Sequence, residues 1–445
     1  MEMSVTHDMK QNLAIPTAQQ RMRWWHDAKL GMFIHWGCYS VLNRGEQIML
    51  RDQMPLAEYD RIADQFHPAP DWADEVADQA VRMGAKYVVL TTRHHDGYCL
   101  FKTRTHSFNA VETGPGRDLV AEYVAAVRKR GLRVGFYYSV INWRWHGFHD
   151  PAGYAHELPL IVEEMHTQVD ELMRNYGTVD ILWYDIPRTP GQRGPAAFGY
   201  IEQDLGVSAA EFYRSAELNR HVRELQPGII INNRSGLPED FSTPEQHITP
   251  EKDGRAWEAC MTRNFAPNWG CVNHSVADKT AGQILFHLMD AVRRGGNFLF
   301  NIGPDAQGHV VARDREVLDC IGRWLKRNGE AVYGTEKDII SGDWSQCPVF
   351  HYGMFTKRGT TEYLTLFYYP KDYLIISNVG GGLLSAELLV SGKKLNVEPL
   401  SNARYRISGL PAEMPDELAP VLKLTFEHEA LSLQWSGAGW LDAAR

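Results

Sequence analysis

Long apolar runs are missing from this chain. Residues 1 to 20, MEMSVTHDMKQNLAIPTAQQ, hold no apolar stretch long enough for the core of a secretory leader, and no later segment could span a bilayer. The expectation is a cytoplasmic protein without a membrane partner. Cysteine is sparse: six among 445 residues (Cys38, Cys99, Cys260, Cys271, Cys320 and Cys347), scattered singly rather than in the close pairs of zinc sites and disulfide frameworks. They read as reduced, mostly buried thiols. Excess positive charge is lacking too: the formal net charge is −9, and no basic stripe offers itself to a nucleic acid backbone. A Gly-rich phosphate loop followed by Lys and Ser or Thr does not occur, which argues against phosphate chemistry. Internal repeats and low-complexity tracts are absent as well.

What is present is a change of texture along the chain. From about residue 30 to 335, short apolar runs (GMFIHWG, KYVVLTTRHHD, RVGFYYSV, VDILWYD, IIINNR, AWEACM, NFLFNIGP) alternate with amphipathic stretches such as DWADEVADQAVRMG and AGQILFHLMDAVRRGG. Strands buried on both faces by intervening helices give this pattern, and repeated strand-helix units mean a parallel α/β fold. Seven strands are one short of a (β/α)8, TIM-type barrel, so one is irregular or hidden. After DREVLDCIGRWLKRNGEAVYG come short strands separated by Gly, Pro, Asn and Lys turns, the texture of an antiparallel β-sandwich. The expected division is a catalytic barrel over residues 1 to 336 and a C-terminal β-sandwich over 337 to 445.

In a parallel barrel, catalytic groups come from the C-terminal ends of several strands, because those ends face one shared cavity. Here they carry His35 and Trp36; His94, His95 and Asp96; Tyr138, Asn142 and Trp143; Trp183 and Asp185; Asn232, Asn233 and Arg234; and Trp257 and Glu258. Any one could merely satisfy a turn, but six strands delivering such groups to one rim point to a binding site. Carboxylates ringed by His, Trp, Asn and Arg suit a sugar, whose hydroxyls need planar donors and acceptors and whose C–H faces stack on indole. Cleaving a glycoside also takes a carboxylate pair. A competing reading makes His35, His94 and His95 ligands of a metal in a barrel hydrolase. Against it, adjacent residues on an extended strand point to opposite faces, so His94 and His95 cannot share an ion unless the backbone turns just there.

Several collinear blocks carry a resemblance: WWHDAKLGMFIHWGCYSV, YVVLTTRHHDGYCLF, VGFYYSVINW, DILWYDIP, INNRSG, TPEQHI, AWEACMTRNFAPNWG and GGNFLFNIGPDAQGHV followed by WLKRNGEAVYGT. Together they make the chain similar to glycoside hydrolase family 29, the α-L-fucosidases, over most of residues 20 to 336. The resemblance implies an irregular barrel with a C-terminal β-sandwich, no cofactor or metal, and double displacement with retention on a fucosylated oligosaccharide. By it Asp185 is the nucleophile and Glu245 or Glu258 the acid/base, with Glu245 preferred because it sits on a Pro-bounded loop above the rim. His35, His94, His95, Trp183 and Arg234 would hold the fucose ring, with Trp36, Tyr138 and Trp269 around it and Glu46 on the hydroxyls. Three positions depart from the family pattern: Gln47 where Trp is usual after Glu46, Cys271 where Tyr is common, and Ile186 where Gly often follows the nucleophile. Two other functions stay open, the metal-dependent hydrolase and a catalytically inactive sugar-binding relative.

Overall fold

The computed structural model describes residues 16–186, 188–191, 205–266, 268–273, 277–337, 352–377, 379–400 and 403–432. Seven parallel strands form one curled sheet: β1 (Leu30–Ile34), β2 (Tyr87–Arg93), β3 (Arg133–Ser139), β4 (Ile181–Asp185), β5 (Ile230–Ile231), β6 (Glu258–Met261) and β7 (Asn297–Ile302). Their order is β5-β4-β3-β2-β1-β7-β6. Side chains alternate across each strand. Phe33, Val89, Tyr137, Trp183, Ile230, Cys260 and Leu299 pack into one interior cluster. Their neighbours Met32, Val88, Phe136, Leu182, Ile231, Ala259 and Phe300 face outward into the layer shared with the helices.

The helices follow from local chemistry. Thr17 with Gln20, and Thr280 with Gln283, form capping boxes that start Ala18–Ala28 and Ala281–Arg293. Gly84, at a φ of 92° that a side chain rarely tolerates, ends Trp72–Met83. The amphipathic stretch SAAEFYRSAELNRHVREL, whose pattern reads as one helix before β5, is broken into Ala209–Phe212 and Ser215–Leu225, with Arg214 between them at a left-handed φ of 51°.

The eighth strand is irregular. Between β5 and β6 runs the segment 241–245, whose bridges pair Phe241 with Asn232 on one side and Ser242 and Glu245 with Trp257 and Cys260 on the other, all in parallel sense. Main-chain bonds fix it: Asn233 N to Phe241 O at 2.9 Å, Glu258 N to Ser242 O at 2.9 Å and Cys260 N to Pro244 O at 3.0 Å. Phe-Ser-Thr-Pro-Glu lacks the apolar run that marks a buried strand, and its Pro cannot donate to a ladder.

Beyond the barrel, β8 (Gly353–Arg358), β9 (Thr361–Leu366), β10 (Tyr373–Ile376), β12 (Leu383–Leu388), β13 (Lys394–Leu400), β14 (Arg404–Ser408) and β15 (Val421–Phe426) form an antiparallel sheet ordered β10-β14-β13-β12-β15-β9-β8. A second, two-stranded sheet pairs β11 (Val379–Gly380) with β16 (Leu431–Ser432), and Val379 shares the buried cluster of the larger sheet. Trp324 ties the barrel's last helix to this region, its fully buried indole donating to Ala419 O at 2.6 Å. Cys347 and the first three residues of the strand-like run VFHYGMFTKR, which begins at position 349, lie outside the described residues. Among those described, no helix is long and apolar enough to cross a membrane.

Candidate active site

The strand ends and the loops that follow them enclose a cavity of about 710 Å³. Of the residues singled out in the sequence, His35, Glu46, His94, His95, Trp183, Asp185, Arg234, Glu245 and Trp269 line it, and so do Gln47, Trp143, Ile186 and Asn233. Among the described residues, none from the C-terminal sheet lines it.

Asp185 ends β4 with its side chain inward, following the alternation that places Trp183 inside. Tyr137 donates to its Oδ2 at 2.7 Å and Arg234 Nη1 to its Oδ1 at 2.5 Å. Burial opposes ionisation of this carboxyl, but the Arg234 guanidinium, His95 and the Tyr137 hydroxyl together outweigh it and hold the group below the usual aspartate value. The same guanidinium reaches the irregular strand: Nη2 donates to Glu245 Oε2 at 2.9 Å, and Nε to Thr243 Oγ1 at 2.8 Å. It also lies over the Trp183 ring, 4.7 Å from the centroid. One cation therefore joins both carboxylates. Their surroundings differ, for the Asp185 side chain is 12 % exposed and that of Glu245 40 %.

Backbone strain marks the residue after Asp185. Ile186 adopts a φ of 56°, a left-handed conformation that costs a β-branched residue roughly 1–3 kcal/mol, and its N–H donates to Asp185 Oδ1 at 2.9 Å. This accounts for glycine being frequent at that position in the family the sequence resembles.

The three histidines share the cavity although two are adjacent. A register shift between Thr91 and Arg93 interrupts the pairing of β2 with β3, and the backbone turns there, so His94 and His95 both face inward. The opposite-faces argument therefore does not hold at this strand end. His35 Nδ1 is 2.6 Å from Asn301 Oδ1, His95 Nδ1 is 2.6 Å from Ser139 Oγ, and His94 stacks on Tyr137. Among the described residues, no group of three or more His, Cys, Asp or Glu is arranged to hold a metal ion. Burial drives the His35 imidazole down to about 3, that of His95 to about 4, and His94 well below the ordinary histidine value.

These shifts bear on stability. The unfolded histidines take up protons near pH ~6.5, whereas the buried rings stay neutral until about pH 4 or below. Across that window the unfolded chain binds more protons, so acid favours unfolding and the histidine contribution is lost as pH falls below 6.5. Burial works the other way on four carboxyls, raising Glu258 to about 7, Asp314 to about 6, and Glu46 and Asp96 above their ordinary values, but it also lowers His26, His106, His149, His166 and His287, so eight histidines stand against four carboxyls. We expect Tm by calorimetry to fall by a few degrees per pH unit between pH 6.5 and 4. A Tm flat across that range would contradict neutral burial of the rings.

Glu46 anchors the opposite wall. Its Oε2 accepts from the backbone N–H of Trp269 and of Gly270, both at 2.9 Å. Its Oε1, like His94 Nδ1, is buried with no hydrogen-bond partner among the described residues. Such orphaned atoms are rare in folded proteins unless a ligand satisfies them.

Of the strand-end groups, Asp96, Asn142, Asn232 and Trp257 do not line the cavity, and three residues to which the resemblance gave a role also stand elsewhere. Trp36 follows the inward His35 and so points outward, where it stacks on Trp72 at 4.2 Å and donates to Asp305 O. Tyr138 is outward for the same reason, its hydroxyl donating to Gln168 Oε1 at 2.8 Å, and Tyr137 takes the place expected of it. Glu258 is fully buried in the barrel interior, where Tyr87 and the Trp183 indole donate to its carboxyl. Cavity residues not singled out for the site include Tyr137, Thr243, Arg188 and Cys260. The two-residue alternation along β3 and β6 would have found Tyr137 and Cys260.

Comparison with known proteins matches residues 3–330 to a family model described as α-L-fucosidase. Among solved structures, α-L-fucosidase isoenzyme 1 from Paenibacillus thiaminolyticus is similar with a TM-score of 0.80 and 31 % identity, covering 92 % of this chain and 99 % of that one. A Bacteroides thetaiotaomicron α-L-fucosidase, solved as a trapped covalent intermediate with 2-fluoro-fucosyl fluoride, aligns with a TM-score of 0.77 and 26 % identity over 91 % of this chain and 96 % of that one. Human plasma α-L-fucosidase is 29 % identical over 442 residues, 89 % of this chain and 86 % of that protein.

Proposed function

The chain belongs to the α-L-fucosidase family, glycoside hydrolase family 29, and from that premise we propose that it is a retaining exo-α-L-fucosidase acting on terminal fucose of oligosaccharides or glycoconjugates by double displacement. The observation that carries this reading is the bridge from Asp185 through Arg234 to Glu245 within one cavity. Asp185 stays ionised beside the guanidinium and attacks the anomeric carbon as the glycosidic bond breaks. Glu245, the more exposed carboxyl, gives its proton to the departing oxygen. In the second step Glu245 takes a proton from water, which attacks the same carbon and releases Asp185. An acceptor sugar in place of that water gives transfer of fucose.

The neutral histidines serve as hydrogen-bonding partners of the fucose hydroxyls, with Glu46 Oε1 and His94 Nδ1 satisfied by the same ligand. Trp183 and Trp269 offer indole surface to the sugar's C–H groups. The five described cysteines are all unpaired, which suits a reducing compartment such as the cytoplasm.

The test is hydrolysis of p-nitrophenyl α-L-fucoside with the first-formed anomer followed by NMR. α-Fucose first is the expected result; β-fucose first would overturn retention, and no hydrolysis would overturn the activity. The rival metal-hydrolase reading is tested on the same assay. Exhaustive EDTA treatment is expected to leave the rate unchanged, whereas His35→Ala should raise KM, lower kcat, or both, by about 1–3 kcal/mol of lost hydrogen bonding. Chelator inhibition together with stoichiometric bound metal would reverse that assignment.

A further inference from the structure

Past the nucleophile, the chain enters a turn that the proposed chemistry does not use. Arg188 is held there at both ends of its backbone: its N–H donates to Ile186 O at 2.8 Å, and its carbonyl accepts from the Tyr213 hydroxyl at 2.9 Å. Its side chain lines the cavity that holds Asp185 and Glu245. Among the described residues, two arginines line that cavity. Arg234 is occupied by Asp185, Glu245 and Thr243. Arg188 differs, in that its guanidinium has no hydrogen bond and no ion pair among the described residues.

An unpaired, half-buried guanidinium on a concave wall is an unusual choice for a site built to hold a neutral deoxy sugar. Its charge adds to the repulsion that keeps the neighbouring His95 neutral, so it gives nothing obvious to the fucose subsite. A cleft wall of low polarisability also focuses a charge outward, toward whatever enters. The space of about 710 Å³ lies in the range that encloses a drug-sized ligand, more than one monosaccharide, so the first leaving-group sugar falls within reach.

Resting on the fucosidase reading above, we propose that Arg188 is a specificity-determining residue for the leaving group: the enzyme favours α-L-fucosides whose aglycone sugar bears an acidic substituent, a carboxylate or a sulfate ester, which pairs with the Arg188 guanidinium. Both anions present planar or tetrahedral oxygens to the guanidinium fork. The turn fixes the backbone from which the side chain reaches into the cavity, so only the side chain itself is left to order when the pair forms.

The experiment compares kcat/KM for three matched fucosyl oligosaccharides: one neutral, one with a uronic or sialic carboxylate on the aglycone, and one with a sulfate ester at an equivalent position. Wild-type enzyme is expected to favour at least one anionic substrate by about 5- to 20-fold at low ionic strength, with the advantage shrinking as salt is raised. Arg188→Gln should bring the anionic-to-neutral ratio close to one, Arg188→Lys should keep part of it, and Arg188→Glu should invert it. p-Nitrophenyl fucoside, measured on every variant, reports general damage to the site, so the effect is read in the ratio. A preference for the carboxylate alone or the sulfate alone identifies which acid is read, and either supports the assignment. Wild-type turnover that treats neutral and anionic substrates alike, or a ratio preserved in Arg188→Gln, overturns it while leaving the fucosidase activity standing. Failure of every fucoside to react overturns both.

Discussion

Asp185→Gly is expected to lower kcat on p-nitrophenyl α-L-fucoside by roughly 10,000-fold or more, because no covalent glycosyl intermediate can form without the carboxylate. Azide should then restore part of the turnover. The small anion fits the space vacated on the nucleophile's side and attacks the α-fucoside there, giving the inverted β-fucosyl azide. Arg234 makes this rescue favourable, since removing Asp185 leaves the guanidinium with Glu245 as its remaining carboxylate partner and a site ready for an anion. Loss of rate from misfolding is separated by Tm, as Tyr137 and Arg234 keep their own places on β3 and beside Thr243. Turnover near that of the wild type would remove Asp185 from the nucleophile's role.

Glu245→Ala is expected to damage hydrolysis of natural fucosyl oligosaccharides by about 100- to 10,000-fold, and that of activated aryl fucosides much less, because a good leaving group needs no proton. The alkaline limb of its pH profile should vanish, and azide should give the retained α-fucosyl azide. Glu258 provides the contrast. It is fully buried and engaged by Tyr87 and by the Trp183 indole, and burial pushes its carboxyl up to about 7. A proton held at that value tempts one to read an acid catalyst, yet the group does not line the cavity. Glu258→Gln should therefore change aryl fucosides and oligosaccharides by the same factor, through the seating of Trp183, and keep the alkaline limb. Leaving-group dependence in Glu258→Gln with little change in Glu245→Ala would exchange the two roles.

How far the sequence reaches can be seen residue by residue. The seven regular strands were legible because each is a β-rich apolar run buried on both faces, a pattern other elements seldom make. The eighth was not, because Phe241 to Glu245 pairs through isolated bridges and carries a Pro. The alternation rule that separates inside from outside was sound for Trp183 and Asp185. The same rule turns Trp36 and Tyr138 outward, against the place that the resemblance gave them, and where a bulge breaks the strand, at His94 and His95, it fails outright. Glu46 and Trp269 stand on loops and meet only in three dimensions, 223 positions apart. No periodicity marks them, and family resemblance alone brought them into view. Arg188 had no mark of either kind, since what distinguishes it is the partner it lacks.

The seam through which the barrel closes has a consequence for how such an enzyme can change over generations. Asp185 is locked to β3 by its place at the end of a continuous ladder, so moving it by one residue would turn its side chain out of the site. Glu245 is bound by no such constraint. The segment that carries it is tacked down at a few points and steadied by Arg234, and can gain, lose or shift a residue with only local repair. On the roles proposed for Glu245 and Asp185, descendants of this fold can therefore relocate the proton donor to suit a bulkier or differently linked leaving group while the attacking carboxylate stays where it is.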